Sequence, residues 1–165
     1  MSTARIYKTM STGSADTMRL GQLVGAVLSP PMLVELVSDL GGGKTTFVTG
    51  LAKGLKSKNQ VSSPTFTLNR IYKFTGGEIH HFDFYRLNEP GIIADQLAES
   101  LADDKVITVV EWSDIVRDIL PTERLTIKFE PTANDPDERQ ITISYPESWA
   151  GKIKHIETEW TGSRP

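Results

Sequence analysis

Apolar residues recur along three segments of the chain at the three- to four-residue spacing of an amphipathic helix. These segments are residues 16–28, 44–56 and 93–101. The first is predicted to begin at a cap near Asp16 and to end before Pro30, because proline cannot continue a helix. Each predicted helix has one apolar and one polar face, so each is expected to lie on the surface of a larger core.

Other apolar segments have the shorter length of β-strands. Residues 32–37 and 105–111 are almost continuously apolar, which is typical of strands buried on both faces of a parallel sheet, although Glu35 interrupts the first of them. Two pairs of alternating or β-branched segments flank turns and predict β-hairpins. The pairs are 66–74 with 78–85, and 125–129 with 141–145. The sequence thus predicts an α/β fold whose mixed sheet has a parallel core, antiparallel hairpins and flanking helices.

The two ends of the chain lack a clear pattern. Residues 1–15 are rich in Ser, Thr and Gly, and they are predicted to be a loosely ordered lead-in. Residues 147–165 are predicted to be a polar C-terminal tail with at most a short helix. Between them, residues 16–146 are predicted to form a single domain, because a chain of 165 residues has the size of one ordinary domain.

The composition narrows the possible functions. The chain has 18 basic and 21 acidic residues spread along its length, so direct contact with nucleic acid is not expected to dominate its function. The absence of Cys excludes disulfides and thiolate metal sites and favours a reducing compartment. The apolar segments are far shorter than the roughly 20 residues of a membrane span, and the N-terminus has no secretory pattern, so a cytoplasmic protein is predicted.

The strongest chemical signal lies between the first buried strand and the second helix. Residues 38–46 read Ser-Asp-Leu-Gly-Gly-Gly-Lys-Thr-Thr and match the phosphate-binding loop G-x-x-x-x-G-K-[ST], except that Ser38 occupies the position of the first glycine. Glycines let backbone N–H groups turn inward around phosphate oxygens, and the following helix directs its positive end at the same anion. A glycine-rich turn with a surface lysine is the alternative, but the strand before the loop and the helix after it favour phosphate binding.

The residues of this loop have expected roles. Lys44 would supply a positive charge to the outer phosphates, and the Thr45 hydroxyl is the usual protein ligand for Mg²⁺. The fold is accordingly expected to be P-loop NTPase-like. The residues expected to bind the nucleotide are Gly41, Gly42, Gly43, Lys44, Thr45 and Thr46.

A P-loop site also needs an acidic residue at the end of a neighbouring buried strand, to hold the metal or its water. Glu111 ends the strand predicted over residues 105–111 and fits this role, although an acid at the end of a strand is otherwise often a solvated residue. His80 and His81 are not expected to share a metal, because successive residues of a strand point to opposite faces.

Four segments follow one another in an order and spacing that resemble the TsaE family. They are Asp39 to Phe47, Ser63 to Leu68 (Ser-Pro-Thr-Phe-Thr-Leu), His81 to Leu87 (His-Phe-Asp-Phe-Tyr-Arg-Leu) and Glu111-Trp112. The resemblance extends from about Asp16 to Tyr145. TsaE proteins are small bacterial ATPases that act with the partners TsaB and TsaD to make threonylcarbamoyladenosine at position 37 of tRNAs.

The resemblance implies ATP and Mg²⁺ as cofactors and gives roles to individual residues. It implies that Thr65 lies in a switch-like loop near the γ-phosphate and binds the nucleotide. It implies that Asp83 orients the attacking water or holds the shell of the metal. It makes Lys44, Asp83 and Glu111 the catalytic residues, and Thr45 and Glu111 the metal-binding residues. Which of the two acids is the main partner of the metal stays open.

The family also places the nucleotide base between its opening segment and its last hairpin, which correspond here to residues 13–17 and Arg139. The chain departs from the family at two positions of the loop, because Ser38 replaces the first glycine and Gly42 stands where alanine is common. Glycine at position 42 only relaxes the backbone. Serine at position 38 is expected to alter the turn slightly and to change the affinity for nucleotide.

Three kinds of function share such a loop. The first, favoured by the resemblance, is an ATPase that is weak alone and depends on assembly with TsaB and TsaD on the tRNA. The second is a small-molecule or nucleotide kinase, which needs an acceptor pocket that usually has several arginines. The third is a GTP-driven switch, whose guanine specificity usually comes from an N-K-x-D segment. No such segment occurs in the chain, so ATP is favoured over GTP.

Overall fold

The computed structural model describes residues 3–39, 41–64 and 67–162. Within these ranges, seven strands form one sheet: β1 (Arg5–Ser11), β2 (Met32–Val37), β3 (Asn69–Phe74), β4 (Gly77–Asp83), β5 (Val106–Glu111), β6 (Leu125–Pro131) and β7 (Arg139–Tyr145). The α-helices are α1 (Ser14–Val27), α2 (Lys44–Gly54), α3 (Gly91–Ala102) and α4 (Ala150–Gly162). Two short segments, Ser113–Ile119 and Glu147–Trp149, are 3-10 helical. No helix in this part of the chain is both long and apolar enough to cross a membrane.

The sheet has the strand order β1-β7-β6-β2-β5-β4-β3. Its four central strands, β6, β2, β5 and β4, run parallel to one another. At the edges, β7 is antiparallel to β6 and to β1, and β3 is antiparallel to β4. The structure therefore confirms the predicted α/β fold, with its parallel core, flanking helices and both hairpins.

Each face of the sheet packs against its own set of helices. On one face, Val34 of β2 and Ile107 of β5 belong to a core cluster with apolar residues of α1, α2 and α4. On the other face, Leu33 of β2 and Val110 of β5 pack with residues of α3 and of the 3-10 segment that follows β5. β2 and β5 are therefore buried on both faces, as their continuous apolar sequence predicts.

The helices α1 and α2 approach each other closely enough for their backbones to touch. Each helix carries two glycines four residues apart, Gly21 and Gly25 in α1, and Gly50 and Gly54 in α2. A Cβ atom at any of these four positions would overlap a backbone atom of the opposite helix. Glycine is thus required here by the packing of the two helices.

The N-terminal segment differs from the prediction. Residues 5–11 form β1, an edge strand whose antiparallel pairing with β7 runs from Arg5 opposite Tyr145 to Ser11 opposite Arg139. The prediction of a loosely ordered lead-in was wrong for these residues. An edge strand buries little surface, and Ile6 is 60% exposed, so the pattern of burial along β1 is weak.

The C-terminal segment has more structure than the prediction of at most a short helix allowed. Helix α4 is 13 residues long, and its side chains Ile153, Ile156 and Trp160 are buried in the core. The Trp160 Nε1 donates a hydrogen bond of 2.6 Å to the Thr9 hydroxyl of β1. The two chain ends thus pack against the same sheet, while the bounds of a single domain over residues 16–146 stay a prediction.

Candidate active site

The loop between β2 and α2 has the backbone shape of a phosphate cradle. Gly41 and Gly43 have positive φ angles of 76° and 101°, a left-handed conformation that glycine adopts without steric cost. Gly43 is the N-cap of α2, and no side chain caps this helix. The first N–H groups of an α-helix have no partner within the helix, so those at the start of α2 can donate to an anion.

Lys44, the first residue of α2, is buried beneath this loop with 8% of its surface exposed. Its Nζ donates hydrogen bonds to the backbone oxygen of Ser38 at 3.2 Å and to the Ser38 hydroxyl at 3.1 Å. The same Nζ lies 4.8 Å from the centre of the Trp112 ring, within the range of a cation–π contact. Burial lowers the pKa of Lys44 below its ordinary value, and the negative charges of Glu111 and Asp83 oppose this effect. Phosphate oxygens beside Lys44 would add further negative charge, which raises its pKa and favours its ammonium form.

The two predicted acids lie side by side at the same edge of the sheet. β4 and β5 are parallel neighbours, and Asp83 is paired in register with Glu111 at their carboxyl ends. β5 also neighbours β2, which leads into the loop. Both acids are buried, with 3% of Asp83 and 2% of Glu111 exposed. The strand order therefore brings the loop and both carboxylates together.

A cavity of about 270 Å³ lies where these elements meet. Its walls are the loop, the start of α2, the two acids, Ser63 and Trp112. All six residues of the loop and helix that are predicted to bind nucleotide, from Gly41 to Thr46, line this cavity. Thr65, the other predicted nucleotide-binding residue, lies outside the described residues. Ser63, two positions before Thr65, lines the cavity, although the sequence did not single it out.

The two carboxylates differ in their surroundings. An oxygen of Asp83 accepts a hydrogen bond of 2.8 Å from the backbone N–H of Tyr85. The Oε1 of Glu111 is buried without a hydrogen-bond donor among the described residues. The Nε2 of His81 lies 3.5 Å from this oxygen without forming a hydrogen bond, and both His81 ring nitrogens are also without partners in the part of the chain described. A buried carboxylate oxygen without a donor is costly, so this oxygen is suited to a ligand that enters the cavity.

The oxygen atoms of the cavity fit Mg²⁺, which prefers carboxylate, hydroxyl and phosphate oxygens. Glu111 offers its unpartnered oxygen, and Thr45 lines the same cavity. Mg²⁺ usually takes one or two protein ligands and completes its shell with phosphate oxygens and water. Among residues 3–39, 41–64 and 67–162, no group of three or more His, Cys, Asp or Glu could hold a metal ion.

Trp112 forms one wall of the cavity in a strained backbone conformation. Its φ of 56° and ψ of 54° lie in the left-handed region, which costs a bulky residue about 1–3 kcal/mol. Its ring contacts the Tyr85 ring, with 4.8 Å between their centres, as well as the ammonium group of Lys44. Strain of this kind clusters at functional sites. The sequence contains no pattern that predicts this conformation.

Glu35, the charged residue within β2, is a third buried carboxylate near the site, with 4% of its surface exposed. It accepts hydrogen bonds from the Ser113 hydroxyl at 2.5 Å, the Arg124 Nε at 2.9 Å and the Thr126 hydroxyl at 3.0 Å. Burial raises the pKa of Glu35, but the hydrogen bonds from Ser113 and Arg124 and the charge of Arg124 outweigh this and lower the pKa below its ordinary value. Because Ser113 directly follows Trp112, Glu35 anchors the chain next to the wall of the cavity.

A second cavity, of about 150 Å³, is also lined by the loop glycines. It is lined by Gly13, Ser14 and Thr17 at the start of α1, and by Asp137 and Arg139 of the last hairpin. The structure thus brings together the two segments between which the family places the nucleotide base. That adenine binds in this cavity stays a prediction.

Most of the chain matches a known protein family. Residues 11–141 match the family model described as "Threonylcarbamoyl adenosine biosynthesis protein TsaE". Over 129 residues, the chain is 33% identical to the tRNA threonylcarbamoyladenosine biosynthesis protein TsaE of Bacillus subtilis, a match that covers 78% of this chain and 79% of that protein. Over 137 residues, it is 35% identical to the protein of the same name from Treponema pallidum, covering 82% of this chain and 98% of that protein.

The fold agrees with that of a solved structure. The crystal structure of Bacillus subtilis YdiB superposes on this chain with a TM-score of 0.76 and 27% sequence identity. The superposition covers 96% of this chain and 99% of that one. The two folds thus correspond over nearly the whole of both chains. On the match to the family model and the identity to these relatives, the chain belongs to the TsaE family.

Proposed function

We propose that this protein is a Mg²⁺-dependent P-loop ATPase required for the formation of threonylcarbamoyladenosine at position 37 of tRNA, with TsaB and TsaD as its partners. The names of its relatives support the pathway, because they are tRNA threonylcarbamoyladenosine biosynthesis proteins. One observation carries the proposed chemistry. It is the buried, in-register pair of Asp83 and Glu111, which shares a cavity with Lys44 and the glycine loop.

The loop and the start of α2 bind the phosphates in this proposal. Backbone N–H groups of Gly41 and of residues 43–46 donate to the phosphate oxygens, whereas the Gly42 N–H donates to the Asp39 backbone oxygen. The Lys44 ammonium balances the charge of the phosphates. An ammonium group has three donors, so Lys44 can keep a backbone contact and still donate to a phosphate oxygen. Thr45 and Glu111 would hold Mg²⁺, which neutralises negative charge on the phosphates when it is bound.

Hydrolysis joins a water oxygen to the γ-phosphorus and breaks the bond between that phosphorus and the oxygen that bridges it to the β-phosphorus. The products are ADP and phosphate. A carboxylate beside the γ-phosphate orients the water and accepts its proton. Asp83 and Glu111 both line the cavity, so one of them can place the water while the other faces the metal. Lys44 stabilises the charge on the phosphoryl group as it transfers.

The position of the cavity supports a dependence on partners. Its Trp112 wall packs against Tyr85, which is 43% exposed, and the next residue, Arg86, is also exposed. A partner that covered this surface would exclude water from the site and strengthen the electrostatic interactions within it. We therefore expect slow ATP hydrolysis by the protein alone and faster hydrolysis with TsaB and TsaD. An unchanged rate on adding both partners would contradict this part of the proposal.

Nucleotide turnover tests the site. Lys44→Ala is expected to abolish ATP binding or hydrolysis, whereas Lys53→Ala, on the exposed surface at the far end of α2, is a matched control that should keep both. Wild-type hydrolysis in Lys44→Ala would remove Lys44 from the mechanism. Release of phosphate from ATP without any acceptor supports the ATPase, while transfer only to an added small molecule would indicate a kinase. A preference for GTP would indicate a GTP-driven switch.

Reconstitution tests the pathway. A mixture that makes threonylcarbamoyladenosine on tRNA and lacks only its TsaE component is expected to regain the product when this protein is added. The product is measured on digested tRNA by mass spectrometry. Lys44→Ala added at the same concentration should leave the mixture inactive. Failure of the folded wild-type protein to restore the product would contradict the proposed pathway.

A further inference from the structure

Ser38, which occupies the position of the first glycine in the phosphate-loop pattern, lies against Gly42 of the same loop. A Cβ atom at Gly42 would lie 2.6 Å from the Ser38 Cβ and closer still to the Ser38 hydroxyl, and real Cβ atoms essentially never come this close. The backbone of Gly42 is not in the left-handed region, so its conformation alone would admit alanine. The Ser38 side chain thus occupies the space that an alanine at position 42 would need. Ser38 and Gly42 thus form a single steric exchange, with a side chain at one position and none at the other.

The Ser38 side chain also changes the surroundings of Lys44. The Ser38 hydroxyl donates a hydrogen bond of 2.8 Å to the backbone oxygen of Asp39, which leaves its oxygen lone pairs to accept from Lys44. The Lys44 Nζ has three acceptors, namely this hydroxyl at 3.1 Å, the Ser38 backbone oxygen at 3.2 Å and the Asp39 backbone oxygen at 3.4 Å. An ammonium group has three N–H donors. Any residue supplies the two backbone oxygens, but a glycine at position 38 would supply no third acceptor.

We propose that Ser38 is a positioning residue whose hydroxyl competes with nucleotide phosphate for one donor of Lys44, and that Gly42 leaves the room for it. This inference rests on the proposed function, because it requires Lys44 to bind phosphate. A phosphate oxygen that binds Lys44 has to displace the hydroxyl or share a donor with it. Ser38 therefore weakens the binding of nucleotide relative to a loop with glycine or alanine at position 38.

Calorimetric titration with ATP and Mg²⁺ tests the competition. Ser38→Ala removes the hydroxyl and keeps the Cβ, so it is expected to bind ATP more tightly, with a Kd lower by about tenfold, the factor that corresponds to one ordinary hydrogen bond. If Ser38 had only a structural role, Ser38→Ala would have the opposite effect, because the loss of its contacts would loosen the loop and weaken ATP binding. Ser57→Ala is a matched control, since the Ser57 hydroxyl also donates to a backbone oxygen, that of Lys73, but lies outside the loop.

The outcomes separate this inference from the proposed function. A lower Kd for Ser38→Ala, with the Kd of Ser57→Ala unchanged, supports the competition. If the wild type binds ATP and Ser38→Ala binds it equally or more weakly, the inference is overturned while the proposed function stands. If the folded wild type does not bind ATP, both are overturned. In steady-state hydrolysis, Ser38→Ala should lower KM with little change in kcat, because the hydroxyl acts on binding.

A pair of variants tests the steric exchange. Gly42→Ala alone is expected to weaken ATP binding and to lower the unfolding temperature, because the new Cβ collides with Ser38. The double variant Ser38→Gly with Gly42→Ala removes this collision and leaves only the Asp39 backbone oxygen close to the new Cβ, at 3.1 Å, so it is expected to recover most of both properties, even where the single variant does not fold. Gly42→Ala with wild-type stability and affinity would contradict the exchange, as would a double variant that is no better than the single one.

Discussion

Replacing Glu111 by Gln keeps the shape of the side chain and removes its negative charge. The Glu111 Oε1 is buried without a donor among the described residues, and the His81 Nε2 beside it, at 3.5 Å, has no partner there either. A buried polar atom without a partner costs about 1–3 kcal/mol. Glutamine can turn its NH₂ group toward the His81 nitrogen and so relieve both atoms. We therefore expect Glu111→Gln to raise the free energy of unfolding by about 1–3 kcal/mol, or about 2–4 °C in Tm for each kcal/mol in a chain of this size.

The same substitution is expected to abolish most of the ATP hydrolysis. Glutamine cannot accept a proton from water as a carboxylate does, and it is a poorer ligand for Mg²⁺. Loss of a group that acts in general acid–base catalysis typically costs about 10²–10⁴-fold in rate. A gain in stability together with a loss of activity is the expected signature of a buried charge that is kept for catalysis.

The matched control is Glu35→Gln, the same change at the other buried glutamate of the sheet. Glu35 accepts three hydrogen bonds, so its neutral form should weaken these contacts and lower the free energy of unfolding by about 2–3 kcal/mol, with ATP hydrolysis largely kept. Thermal unfolding followed by circular dichroism, without nucleotide, and phosphate release at saturating ATP measure the two effects. A lower Tm for Glu111→Gln, or wild-type hydrolysis by that variant, would refute the reasoning.

Three further predictions concern pH, nucleotide binding and the edge of the sheet. The pKa of Glu35 in the folded protein lies below its ordinary value of 4.5. Ionised Glu35 therefore stabilises the fold fully above pH 4.5, and this stabilisation is lost as the pH falls through the lowered pKa. Urea unfolding between pH 7 and pH 3 should therefore show a steeper loss for the wild type than for Glu35→Gln, and parallel curves would contradict this. If ATP moves the Lys44 ammonium away from the Trp112 ring, Trp112 fluorescence should change when ATP binds. The variant Trp112→Phe should lose this change. A change retained in that variant would have to come from another tryptophan. Trp160→Phe removes the hydrogen bond to Thr9 and should lower the free energy of unfolding by about 0.5–1.5 kcal/mol in urea, whereas an unchanged value would mean that this bond contributes nothing.

The buried strands and the amphipathic helices could be predicted from the sequence because local patterns encode them. β2 occupies residues 32–37 as predicted, and α2 begins at Lys44, where the loop ends. β1 was missed because its inward face carries the half-buried Tyr7 and the polar Thr9 and Ser11, while Ile6 is exposed, so the strand shows no apolar alternation. α4 was underestimated because its apolar residues are few and stand among many polar ones, and only packing against the sheet shows that they are buried.

The site was predictable in its residues more than in its geometry. Residues 41–46 follow from the loop pattern, while Asp83 was identified through the resemblance to a family. Asp83 and Glu111 lie side by side because β4 pairs with β5, and no local pattern encodes this pairing. The partners of Glu35 are similarly distant, since Arg124 is 89 positions away along the chain. The role of Thr65 stays a prediction.

The backbone contact between α1 and α2 has a consequence for how the site can distinguish nucleotides. α2 begins at the phosphate cradle, and α1 begins beside the cavity where the base is expected. Four glycines let the two helix backbones touch, closer than residues with a Cβ atom would allow. Under the proposed function, the distance between the base and the first phosphates would be set by this helix packing and would be the same for ATP and ADP. Discrimination between ATP and ADP would then depend on the other cavity, which is lined by Trp112, Asp83 and Glu111.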